Sequence, residues 1–193
     1  MAETLVPLIQ TSIRAPREAA RTVLDMGLSR DVLWTALALV AVINTFLIYF
    51  VIEISGPTVP LPGYFQRPLA LFVLIAGLTV VYVHAMYWAG LAIGGRGSLM
   101  DVLALVVWFQ VLRALAQVVV IVTSFLIPPL GALLSLAVAI WGFWIFLNFL
   151  ATALNLSSPW HAFAVLVISF VGLVLGLGIL MALVAGLSQG VVS

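Results

Sequence analysis

The chain has 193 residues, 65% of them hydrophobic and only 7% charged, with a mean hydropathy of +1.35 and a formal net charge of +1. Soluble domains carry ~25% charged residues, so this chain cannot clothe itself in a solvated surface and reads as an integral membrane protein. The net charge is too small to suggest nucleic acid, and the lack of cysteine excludes disulfides, thiolate metal sites and cysteine nucleophiles.

Residues 1–31 read as an amphipathic, cytoplasmic segment. Leu5, Leu8, Ile9 and Ile13 recur at helical spacing, and Pro16 suits the first position of a further turn of helix. Arg14, Arg17 and Arg21 recur at near-helical intervals, with Ala20, Val23 and Leu24 on another side. Such a helix is expected in the headgroup layer with its arginines toward anionic lipid; the alternative is a solvated tail. The opening residues are too polar, and the first apolar run too long, for a cleavable signal peptide.

Five apolar runs follow, at about 32–54, 68–93, 101–127, 130–156 and 160–187, each long enough to cross ~30 Å of hydrocarbon. Ser29 or Asp31 can cap the first, and the proline-rich loop from Ser55 to Arg67 ends it. Pro68 can start the second, Gly94-Gly95 closes it, Pro128-Pro129 forces a tight turn after the third, and Ser157-Ser158-Pro159 breaks the fourth. The expected fold is all-α: one membrane bundle of five transmembrane helices over residues 32–187, an N-terminal amphipathic interfacial helix, and a short tail at 188–193. All seven cations are arginines. A cytoplasmic N-terminus puts Arg14, Arg17, Arg21, Arg30 and Arg96 inside and only Arg67 outside, which leaves the C-terminus outside.

Small residues mark candidate packing ridges. Gly172 and Gly176 form a GxxxG on the fifth span with Ser169 on the same ridge; Gly131 and Ser135 repeat the spacing on the fourth, and Gly90 and Gly94 on the second. Lipid tails are as apolar as leucine, so such ridges act by letting backbones approach. Packing within the bundle is the expected use, and a homodimer seam the alternative.

Polar residues at depth mark a second feature. Arg113 lies ~18 Å along the third span, with Gln110 and Gln117 on the same helical face, and Asn44 reaches a similar depth on the first. Gln110, His84 and Asn148 fall in one layer ~12–14 Å from the cytoplasmic end, and Thr152 and Asn155 continue a stripe down the fourth span. These positions predict a shared inward-facing seam. A buried arginine costs at least ~2.5–3.5 kcal/mol on insertion scales, so Arg113 needs partners. The one acid inside a span, Glu53, lies at the opposite outer end. Amides, carbonyls, water or a bound anion such as a lipid phosphate must therefore satisfy it. A structural seam and a ligand or lipid site are the two readings.

Signatures of catalysis are missing: His84 and His161 are the only histidines, with no HExxH, phosphate loop, GxSxG or paired aspartates at depth. No catalytic residue, metal or cofactor is implied.

The turn Gly94-Gly95-Arg96-Gly97, the break Asn155-Leu156-Ser157-Ser158-Pro159-Trp160-His161-Ala162-Phe163 and the opening Pro16-Arg17-Glu18-Ala19-Ala20-Arg21 resemble the Yip-domain (Ypt/Rab-interacting protein) family, in its bacterial branch. The resemblance implies five spans and a cytoplasmic N-terminus. In eukaryotic members it implies binding of prenylated Rab GTPases and roles in vesicle traffic and membrane shaping. The aspartate-leucine-tyrosine-glycine-proline motif of those members is absent here, so that partner is not carried over. The expected function is that of a non-enzymatic inner-membrane scaffold or accessory that binds lipid, anionic in the first instance, or another membrane protein or itself. The alternative is a small transporter or channel subunit using the Arg113 seam.

Overall fold

A computed structural model describes residues 2–55 and 67–190. The proline-rich loop at 56–66 and the last residues of the tail, 191–193, lie outside the described residues. Among those described there are seven α-helices and no strand: α1 (Ala2–Arg14), α2 (Pro16–Asp25), α3 (Arg30–Ser55), α4 (Pro68–Ala92), α5 (Leu99–Leu126), α6 (Pro128–Ala153) and α7 (Pro159–Gly190). The last five are long and apolar enough to cross a membrane. The chain is an integral membrane protein of the expected all-helical class.

Local chemistry explains the helix starts. Proline opens α2, α4, α6 and α7, where its missing N–H would have had no partner. Ser29 Oγ accepts from Val32 N at 3.4 Å at the start of α3. Ser98 and Asp101 form a capping box: Asp101 N donates to Ser98 Oγ at 3.1 Å and Ser98 N donates to Asp101 Oδ2 at 2.9 Å. That box starts α5 at Leu99, two residues ahead of the expected Asp101, because Asp101 is its third residue and not its first.

Two helix ends close in the same way. After α4, Gly94 takes a left-handed φ of +91°, with Gly95 N donating to Gly90 O at 2.9 Å and Gly94 N to Leu91 O at 3.1 Å. After α6, Asn155 takes φ +52°, with Leu156 N donating to Ala151 O at 2.8 Å and Asn155 N to Thr152 O at 3.2 Å. Both are Schellman closures, which satisfy carbonyls the helix leaves open. Arg96 N then donates to Leu154 O at 2.9 Å and ties the two turns together.

The spans form a closed ring, α3–α5–α6–α7–α4, in which α5 also reaches α4. We call proximal the end where α3, α5 and α7 begin. The core lies in the proximal half: Leu33, Leu37 and Val40 of α3, Val83 and Met86 of α4, Val102 through Val107 of α5, Ile145 through Ala151 of α6, and Val165 of α7 are all buried. Toward the distal end, Leu126, Leu133, Leu136 and Ile140 stand exposed on the apolar surface of the bundle.

The N-terminal segment is amphipathic as expected, and part of its apolar side is covered by protein, while Leu5, Val6 and Ile13 stay exposed. α1 and α2 pack on one another, and α2 lies against α5 and α6, burying Leu8, Pro16, Ala19, Ala20 and Val23. Trp108 Nε1 donates to the fully buried Ser12 Oγ at 3.0 Å, and Trp141 Nε1 donates to Ile13 O at 3.1 Å. Trp108 lies ~14 Å inside the start of α5 and Trp141 ~18 Å inside the end of α6, so the junction of α1 and α2 reaches well below the proximal face. The amphipathic segment is thus docked on the bundle at the groove of α5 and α6. The groove between α5 and α6 offers both apolar wall and two indole N–H donors, for which α1 supplies the acceptors, and an indole N–H left bare in hydrocarbon is expensive.

Candidate functional site

The structure divides the expected polar seam into two sites. The first is a chain of hydrogen bonds near mid-span. Arg113 Nη2 donates to Asn44 Oδ1 at 3.0 Å. Asn44, buried on α3, donates through Nδ2 to Gln110 Oε1 at 3.1 Å and to its own helix at Val40 O at 2.9 Å. Gln110 Nε2 donates to Thr79 Oγ1 at 3.3 Å, and Thr79 Oγ1 donates to Ile75 O at 2.8 Å. Three spans are stitched together, and no buried side-chain nitrogen or oxygen among the described residues lacks a partner. Thr79 was not foreseen. A hydroxyl that can bond back to its own helix gives no sign in sequence that it also accepts from a neighbour.

Other members of the expected seam go elsewhere. His84 donates from Nδ1 to Val80 O at 2.8 Å, back onto α4. Gln117 is exposed on α5, outside the network. Arg113 is itself exposed on the side of the bundle, with only part of its guanidinium engaged. Asn148 faces α2: its Oδ1 accepts from Arg17 Nε at 3.2 Å, while its Nδ2 donates to Trp144 O at 2.9 Å.

That contact anchors the second site, a concavity of about 330 Å³ at the proximal face. Arg17, Arg21 and Asp25 of α2 form one side, Thr152 and Asn155 at the end of α6 another, and Asp101 at the start of α5 a third. Its volume sits at the low end of the ~300–1,000 Å³ usual for small-molecule sites. Arg17 is half-buried and held by its Nε, which leaves both terminal nitrogens without a partner among the described residues. Thr152 Oγ1 is committed to Asn148 O at 2.8 Å, so it shapes the wall more than it offers a donor. Arg14, Arg30 and Arg96 are exposed and stand outside this concavity. Asp25 and Asp101 were not singled out by sequence, where an isolated carboxylate near a helix end has no evident partner.

The small-residue ridges also divide. A methyl at Gly90 would meet Leu154 Cδ2 at 2.8 Å, and one at Gly131 would run into Ser124, so these glycines permit close approach. Ser169 is buried and donates to Val165 O at 2.7 Å. Gly172 and Gly176 face open space in the single chain, and Ser135 is exposed, so these three do not serve packing within the bundle. Among the described residues no group of three or more His, Asp or Glu could hold a metal ion.

No curated protein and no solved structure matches the chain. The family model of the Yip1 domain matches residues 11–181, from the last turn of α1 into α7, and so takes in both polar sites. By that match, over most of its length, the chain belongs to the Yip1 domain family.

Proposed function

We propose that this Yip1-domain protein is a non-enzymatic membrane scaffold that holds phospholipid by its headgroup phosphate in the proximal concavity. The observation that carries the reading is the tethered Arg17: Asn148 fixes the Nε edge at 3.2 Å and leaves the fork of terminal nitrogens open, beside Arg21, in the wall of the proximal concavity. A planar fork held in place by one edge suits a phosphate, which accepts two parallel hydrogen bonds. The arginine distribution supports a cytoplasmic N-terminus, with the concavity in the cytoplasmic leaflet; the membrane proposed is a bacterial inner membrane. The exposed distal surface supports a second membrane protein, or a second copy, as a further partner. The mid-span network supports a structural role for Arg113, because its amides are spent on one another, and Val118, Val119 and Val122, further along the same helix, are apolar and exposed.

The test is thermal unfolding of the purified chain in mild detergent with increasing phospholipid. Wild type and Arg14→Gln, whose arginine lies outside the concavity, are expected to gain the same stabilisation. Arg17→Gln/Arg21→Gln is expected to lose it. An equal response from all three overturns the reading.

A further inference from the structure

The concavity carries as much negative as positive charge, and the two are sorted by depth. Arg17, Arg21 and Asp25 follow one another at intervals of four on α2, so they share a face and climb it in steps of ~6 Å. Arg17 is at the inner end: its partner Asn148 lies five residues, ~7–8 Å, inside the end of α6. Asp25 is the last residue of α2, and Asp101 lies in the first turn of α5, where the two carboxylates border the mouth. A net anionic headgroup would satisfy the arginines and be repelled at the rim.

Two further features ask for a cation at that rim. Asp25 sits at the carbonyl end of α2, whose dipole already disfavours negative charge, and no basic residue occupies that last turn. Asp101 commits Oδ2 to Ser98 N and has Oδ1 without a partner among the described residues. Two carboxylates and a helix C-terminus thus border one mouth, with Arg21 one helical turn inward of Asp25 and no basic residue in the last turn of α2 itself.

We infer that the concavity recognises a zwitterionic phospholipid headgroup with a primary ammonium, phosphoethanolamine, with its phosphate on Arg17 and Arg21 and its ammonium between Asp25 and Asp101. The order of charges matches the lipid, in which phosphate is next to the glycerol and ammonium reaches outward. A two-carbon linker with its terminal oxygen and nitrogen spans the rise from Arg21 to Asp25. The ammonium offers three N–H donors to the carboxylates, whereas a trimethylated choline offers none. A glycerol headgroup brings no cation to the rim.

This inference rests on the phospholipid reading above, and one experiment separates their failures. The full chain in detergent is titrated with phosphatidylethanolamine, phosphatidylcholine and phosphatidylglycerol of identical acyl chains, and bound lipid is counted by native mass spectrometry. Soluble phosphoethanolamine serves as competitor. Wild type is expected to prefer the ethanolamine lipid at least about tenfold, the factor that one charge-assisted hydrogen bond supplies. Asp25→Asn is expected to lose most of that preference while still binding phosphatidylglycerol, and Asp25→Lys to reverse it, a gain that misfolding cannot mimic. Equal affinity for the three lipids, or a preference untouched in both Asp25 variants, overturns the ethanolamine assignment and leaves the phosphate site standing. Binding of every lipid unchanged by Arg17→Gln/Arg21→Gln overturns both. Soluble phosphoethanolamine competing at concentrations equal to the lipid overturns the lipid as the source.

Discussion

Gly97→Ala should damage the proximal end of the bundle more than any other single methyl. A Cβ at Gly97 would run into the carbonyl oxygen of Ala153 and lie 2.8 Å from its carbon and 2.9 Å from Leu154 Cα. All three are backbone atoms, so no rotamer change can make room, and the turn between α4 and α5 must lift from the end of α6. Lifting it stretches the adjacent bond from Arg96 N to Leu154 O, now 2.9 Å. Overpacking of this kind costs ~1–3 kcal/mol, and the lost hydrogen bond adds ~0.5–1.5 kcal/mol. The total is roughly 2–4 kcal/mol, or a fall in Tm of about 5–15 °C for a chain of this size. Two other glycines separate the clash from backbone effects. Gly94 has open space but a φ of +91°, so alanine there costs ~1–2 kcal/mol of backbone strain. Gly77 is in the interior of α4 with nothing near its missing Cβ, so alanine there is neutral or stabilising by up to ~1 kcal/mol. Thermal unfolding of the three variants should rank Gly97 worst and Gly77 mildest. A Gly97→Ala chain that melts with wild type would refute the close approach of the two turns.

Two further expectations concern the network and the topology. Asn44→Leu strands Arg113 Nη2 and Gln110 Oε1, at ~1–3 kcal/mol for each group left unpaired, although membrane hydrogen bonds average nearer ~0.6 kcal/mol. Arg113→Leu strands Asn44 Oδ1 but also removes a charge that costs ~2.5–3.5 kcal/mol at mid-span, so in unfolding assays the asparagine variant should be the less stable; the opposite order counts against the structural role of Arg113. For a cytoplasmic N-terminus and five crossings, reporter fusions at the two ends must be active on opposite sides of the membrane, and activity on one side alone rules this topology out.

Length and punctuation were legible in the sequence, and azimuth was not. Pro68, Pro128 and Pro159 stand at helix starts, as their chemistry requires. Ser98-x-x-Asp101 could have been read as a capping box, which would have placed the start of α5 at Leu99. Depth could be counted at ~1.5 Å per residue, and it rightly brought Asn44 to the level of Arg113. Depth alone also grouped His84 and Asn148 with Gln110, yet His84 bonds its own helix and Asn148 meets Arg17. A span that is apolar all round has no stripe to say which side faces inward. The N-terminal segment has such a stripe, but the pattern of Leu8, Ala19 and Val23 states only that this face leaves water. It cannot distinguish lipid from the groove of α5 and α6. The concavity is the extreme case, since Arg17 and Asp101 share it only after three helices have met.

The contacts that dock the N-terminal helices also set an order of assembly. Ser12 bonds a residue 96 positions later, Ile13 one 128 later and Arg17 one 131 later. At a synthesis rate of ~5–20 residues per second, Asn148 is made roughly 7–26 s after Arg17. Through that interval α1 and α2 exist, and their groove does not. Leu8, Ala19 and Val23 need an interim partner, and under the proposed lipid reading an amphipathic helix with Arg14, Arg17 and Arg21 would find it at the membrane surface. On that reading the headgroup layer would be a waiting place on the way to the bundle. The arginines would hold the segment on the face of the membrane from which it must dock, and two of them, Arg17 and Arg21, line the finished concavity.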